Sequence, residues 1–156
     1  MGARKCSLGP ASDWLWGQEE MRWRRTFSGS PEQTASARAF AETLFAGTAC
    51  VDVVEFIVAE LTANTIRHTA SGKDGGWFGL ELVYGDPVYI AVVDNGGTGT
   101  PLVRQPDLLA ESGRGLFMVA QLAHRMGIEG NPERGHKVWA EIELNKPWPD
   151  AFGISV

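Results

Sequence analysis

The chain has 156 residues, 44% of them hydrophobic, and carries 14 Lys and Arg against 19 Asp and Glu, for a net charge of −5. That length suits one core of ordinary domain size, about 100 to 150 residues. The acidic balance disfavours the cationic footprint of a nucleic-acid binder, and no apolar run approaches the roughly 20 residues of a membrane-spanning helix.

Residues 1–19 mix Gly, Pro and Ser with Trp14 and Trp16 in no sustained period, which reads as an N-terminal arm. The start has charge but no apolar stretch of a secretory signal. From residue 20 to 28, Met21, Trp23 and Phe27 alternate with Arg22 and Arg24, the pattern of a strand. The basic cluster Arg22, Arg24 and Arg25 then belongs to its solvated side.

Ser30-Pro31-Glu32-Gln33 has the form of a capping box, so a helix is predicted to run from there to about Ala46 and to end at Gly47. Its exposed side offers a face for a protein partner or a homodimer. A second helix is predicted from Cys50 to His68, with Val54, Ile57, Val58 and Leu61 as the core stripe and Asp52, Glu55 and Thr62 on the solvated side. After a glycine-rich break at 72–76 come two strand-like runs, Trp77 to Tyr84 and Val88 to Val93, joined by Gly85-Asp86-Pro87.

Residues 95–112 have no clean period and form a long loop, which in small domains is commonly a functional lid. Gly113 opens a third predicted helix to about Arg125, with Leu116, Val119, Ala120 and Ala123 inward, and a last hairpin brings in Lys137 to Leu144 as a strand. The order of elements predicts an α+β fold: a two-layer α/β sandwich with a mixed, mostly antiparallel sheet and helices on one face. Residues 20–145 form this domain and 146–156 a C-terminal tail. Cys6 and Cys50 form no CxxC pair, so no zinc site or disulfide scaffold is expected and a reducing cytoplasm fits.

Three places concentrate polar chemistry. Glu60, Asn64 and His68 recur every fourth residue, so they climb the margin of the core stripe. Polar residues there are commonly structural hydrogen-bonding groups. A carboxylate one turn before an amide can also hold a magnesium-bearing triphosphate and activate a hydroxyl. Asp94 closes a buried-looking strand and is followed by Gly96, Gly97 and Gly99, which admits either a plain turn or a close approach to a ligand edge. Gly113-Arg114-Gly115-Leu116 opens a helix, where unpaired N–H groups and the positive dipole end suit an anion such as phosphate, or simply a tight turn. His124 and His136 are read as structural or solvent-facing, with no metal cluster around them.

In this order, the Glu60–Asn64 segment, the Asp94–Gly99 segment, the Gly113–Leu116 segment and the final Gly135-His-Lys-Val strand resemble the asparagine box, the two glycine boxes and the last strand of the GHKL ATPases. The short chain and the Glu-x-x-x-Asn spacing are most similar to the anti-sigma-factor serine kinases of bacteria. The resemblance implies the Bergerat ATP-binding fold, with ATP and Mg2+ as cofactors. It implies Asn64 on magnesium and the phosphates, Glu60 as general base toward a serine hydroxyl, and Asp94 as acceptor for the adenine amino group. Gly96 and Gly99 would pass the base, and Gly113, Arg114, Gly115 and Leu116 would wrap the phosphates, with His68 at the margin of the nucleotide site.

The implied partners are a small anti-sigma-factor antagonist and a sigma factor. A module that binds ATP and sequesters such a partner without useful turnover is the alternative. Two departures from the family pattern stand out: the first glycine box is one residue longer, and His136 follows Gly135 where a threonine is usual.

Overall fold

The computed structural model describes residues 20–95, 114–131 and 133–146. The expected arm at 1–19, the expected lid with Gly96, Gly97, Gly99 and Gly113, and the expected tail from 147 onward lie outside the described residues. In chain order the elements are β1 (Met21–Ser28), α1 (Gln33–Phe45), α2 (Val51–His68), a single 3-10 turn (Ala70–Gly72), β2 (Trp77–Tyr84), β3 (Val88–Asp94), α3 (Arg114–Leu122), β4 (Arg125–Asn131) and β5 (Gly135–Ile142).

The five strands form one sheet in the order β1-β2-β3-β5-β4, and where a mixed sheet is predicted every pairing is antiparallel. Strand alternation divides the sheet into two faces. Phe27, Phe78, Leu80, Leu82, Val88, Ile90, Val92, Val138, Ala140 and Ile142 point into the core. There they meet the stripe of α2, in which Val54, Ile57, Val58 and Leu61 are completely buried. Each such side chain contributes about 1.5–3 kcal/mol on leaving water, which makes α2 the keel of the helix layer. It packs against β3, with α1 and α3 on its flanks.

The opposite side of β1 bears out the reading of its basic cluster for Arg22 and Arg24 and adds a partner, whereas Arg25 shares the parity of Trp23 and Phe27 and is corrected to the helix-facing side. Arg22 and Arg24 point away from the helices and both reach Glu81 of β2, Arg22 at 3.3 Å. Glu81 is only 6% exposed, a burial that a carboxylate tolerates when it is paired. Arg25 lies over the rings of Phe27 and Phe40, with its guanidinium carbon 4.8 and 5.5 Å from their centroids.

Three local expectations are corrected. The capping box does not form: α1 starts at Gln33, and backbone carbonyls of a preceding turn accept the donors instead, Gln33 N–H to Ser30 O at 3.0 Å and Thr34 N–H to Pro31 O at 3.2 Å. Thr62 is buried rather than solvated, because its hydroxyl is satisfied by Val58 O at 2.7 Å within the helix. The third helix stops at Leu122, and Arg125 begins a strand instead of ending the helix. The chain turns there as the His124 N–H bonds to Glu141 O of β5 at 2.8 Å, which starts the β4–β5 ladder.

Candidate nucleotide site

The second half of α2 carries the polar margin that the sequence singles out. Glu60 and Asn64 are half-buried on it, one turn apart, and His68 at its last turn is exposed. Opposite Glu60 stands the start of α3. A Cβ built on Gly115 would overlap Glu60 Oε2 and come within 2.6 Å of its Cδ, so only a glycine lets the carboxylate lie against this backbone. Leu116, the next residue, is buried in the core and fixes the helix start from below. The predicted glycine-opened helix and the predicted acid are therefore direct neighbours.

The electrostatics of this contact are unusual for a surface acid. The Glu60 carboxylate makes no hydrogen bond or ion pair among the described residues, and burial pushes its pKa above the ordinary 4.5, with Arg67 pulling it part of the way back. One turn on, Asn64 Nδ2 is buried without a hydrogen-bond partner among the described residues. Stranding such a donor costs about 1–3 kcal/mol, so an acceptor from a ligand would be well rewarded there. The amide also offers an oxygen to a cation. Among the described residues no group of three His, Cys, Asp or Glu could hold a metal ion. A magnesium ion carried by phosphates needs fewer protein ligands than such a cluster, and a single amide oxygen is within that pattern.

Asp94 occupies the last position of β3, opposite Phe78 of β2. It continues the inward series Val88, Ile90, Val92 and so faces the helix layer at the sheet's end. It is 6% exposed, and its Oδ1 accepts the backbone N–H of His136 at 3.0 Å. The next residue is clamped to the other layer: Ser71 Oγ donates to Asn95 Oδ1 at 2.8 Å and accepts the Asn95 N–H at 3.3 Å. Ser71 stands in the 3-10 turn directly after α2, where its own N–H bonds to Thr69 Oγ1 at 3.1 Å. This clamp joins the end of β3, with Asp94, to the end of the helix that carries Glu60 and Asn64.

The structure thus brings Glu60, Asn64, Gly115 and Leu116 together and ties Asp94 to the same end of the sandwich. Arg114 opens α3 beside Gly115. His68 lies beyond this group on the exposed end of α2, while Gly96, Gly99 and Gly113 are outside the described residues. Two contributors escape the sequence reading. Ser71 has no signal beyond its place just before a glycine-rich break. His136, read as structural or solvent-facing, is 3% exposed beside Asp94. Its parity with the inward Val138, Ala140 and Ile142 is the signal that reveals it. A recess of about 720 Å3 lined by Ser28, Pro31, Lys73 and Trp77, among others, contains none of the predicted residues.

Residues 27–142 match the family described as the histidine kinase-like ATPase domain. A serine-protein kinase RsbW from Bacillus pumilus (strain SAFR-032) is 30% identical over 95 residues, covering 52% of this chain and 59% of that protein. The chain therefore matches less than two thirds of that relative's length. Among the described residues no helix is long and apolar enough to cross a membrane.

Proposed function

Because the chain belongs to the histidine kinase-like ATPase family, we propose that it is an ATP-dependent serine kinase of the anti-sigma-factor type. Its substrate is a serine of a small antagonist protein, and its second partner is a sigma factor that the antagonist releases. The likeness to a serine-protein kinase supports the choice of activity. The observation that carries the proposal is the desolvated Glu60 carboxylate, seated against Gly115 one turn before an amide with an unused buried donor.

Bound ATP with Mg2+ supplies the activated phosphoryl group. Glu60 removes the proton from the attacking serine, and burial moves its pKa toward the operating pH, where a carboxylate is a better base. Arg67 limits that rise. Asn64 orients the metal-bearing phosphates through its amide. The N-terminal turn of α3, at Arg114, Gly115 and Leu116, presents backbone N–H groups and the positive end of its dipole to the phosphates. Asp94, held by the His136 N–H, accepts from the amino group of adenine.

Two measurements test this reading. Incubation with labelled ATP and candidate antagonist proteins is expected to label one of them on serine. ATP binding without transfer to any antagonist would reduce the protein to a sequestering module. Calorimetric titration with ATP and magnesium is expected to lose its magnesium-dependent affinity in Asn64→Ala, and equal binding by the variant would make Asn64 merely structural.

A further inference from the structure

The face of the sheet turned away from the helices carries a recess of about 410 Å3 that has no part in the nucleotide site. Its floor follows one row of the strand register, from Thr26 of β1 through Gly79 of β2 and Val93 of β3 to Lys137 of β5. Strand spacing puts the two ends of that row about 14 Å apart. Gly79 has no side chain to fill the middle, and a Cβ built there would meet Val93 Cγ2 at 2.7 Å and the Trp77 indole at 3.6 Å. Trp77, two residues before Gly79 on the same face, is 41% exposed, so the floor is apolar and one wall is an open aromatic ring.

Charge gives the recess a sign. Glu81 in its wall is already matched, with Arg22 at 3.3 Å from Oε1 and Arg24 against Oε2. Arg24 spends only its Nε–H on that contact, which leaves the donors on its two terminal nitrogens without a partner among the described residues. Lys137, on the other side of the floor, holds its Nζ 5.9 Å from the centroid of the Tyr89 ring. It forms no ion pair among the described residues, not even with Glu129, its register neighbour on β4. Two cations with donors to spare therefore flank the apolar floor.

We infer that this recess binds a small aromatic carboxylate, with its ring on Gly79 and Val93 against Trp77 and its carboxylate between Arg24 and Lys137. The volume falls in the range of small-molecule sites, roughly 300–1,000 Å3, and a few placed polar groups beside an apolar lining is their usual make-up. A planar ring gains from stacking on the indole, which an aliphatic acid forgoes. A neutral ring leaves both cations unused, and a cationic one is repelled by them.

The test is a heteronuclear NMR titration of the full chain with 2-naphthoate and with its neutral amide, 2-naphthamide. No nucleotide is added, so a failure of the ATP-site reading leaves the result untouched. Naphthoate is expected to move the backbone signals of Thr26, Gly79 and Lys137 and the indole N–H of Trp77. It should bind roughly tenfold more tightly than the amide, about the worth of two exposed ion pairs. Lys137→Gln should weaken naphthoate by roughly threefold and leave naphthamide unchanged. Trp77→Ala should weaken both ligands alike, by roughly fivefold. Equal affinity for acid and amide overturns the inference, as do shifts confined to another surface or the absence of binding at millimolar naphthoate. So does a Lys137→Gln variant that binds naphthoate as the wild type does. Lys137→Met takes the place of the Gln variant if its spectrum shows that variant unfolded.

Discussion

On the helix wall of the site, Glu60 has no hydrogen bond or ion pair and Asn64 Nδ2 no acceptor among the described residues, and burial makes ionisation of Glu60 costly. On the strand wall, Asp94 accepts a backbone N–H from His136, and Asn95 is held twice by Ser71. The difference teaches how the two jobs of such a site are divided. A group that must recognise one edge of a ligand gains from being fixed in advance, because nothing is then spent ordering it on binding. A group that must exchange a proton gains from a desolvated, partnerless seat, because its pKa is then adjustable by whatever binds beside it.

The contrast is broken most severely by Glu60→Gln. Phosphoryl transfer is expected to fall by about 10²- to 10⁴-fold while ATP binding persists, checked by single-turnover labelling and calorimetry. The same variant sharpens the comparison through stability. Since the folded protein raises the Glu60 pKa, protonation favours the fold, and stability from this group is lost as pH rises above the ordinary 4.5 through the raised value. Glu60→Gln should therefore melt higher than wild type at pH 7 to 8, with the gap closing at acid pH. A variant that melts lower at neutral pH would mean that the carboxylate has a stabilising partner.

Gly115→Ala comes next. Alanine favours a helix interior over glycine by about 1 kcal/mol, so stability should change little, yet the added methyl displaces the Glu60 carboxylate. Transfer should drop at least roughly tenfold in the wild-type background and not at all further in Glu60→Ala, the signature of two groups acting as one. Additive losses would separate them.

Asp94→Ala tests the satisfied wall. It leaves the buried His136 N–H without its acceptor, and denaturant unfolding should register a loss of about 1–3 kcal/mol, together with weaker ATP binding. The smallest effect belongs to Ser71→Ala, which removes both bonds to Asn95. About 1 kcal/mol of stability and a modest rise in the ATP dissociation constant are expected, with Glu60-dependent chemistry intact. A large loss of transfer in Ser71→Ala would show that the walls are not independent.

How much of this was legible follows from the range of the forces involved. The stripe Val54, Ile57, Val58 and Leu61 could be read directly, because a helix repeats every 3.6 residues whatever it packs against. The alternation of β1 and the apolar, strand-like runs of β2 and β3 were equally plain. β4 was not, since Arg125–Asn131 contains Gly127 and Gly130 and buries little. It is a strand because its backbone completes the edge of the sheet beside β5, and Gly127 leaves room for the Trp139 ring, which a Cβ would meet at 2.6 Å. The capping box of α1 failed for a related reason: carbonyls of a local turn reached the N–H groups first.

The sequence by itself determined the core stripe of α2, the alternation of β1 about Met21, Trp23 and Phe27, and the spacing of Glu60 to Asn64, because these depend only on the local geometry of the chain. Only the tertiary structure decided that Gly115 lies under the Glu60 carboxylate, that Ser71 clasps Asn95, and that His136 flanks both oxygens of Asp94. Those contacts join residues 24 to 55 positions apart, and the packing of α2 on the sheet together with the register of β3 on β5 decides which side chains meet across such a distance.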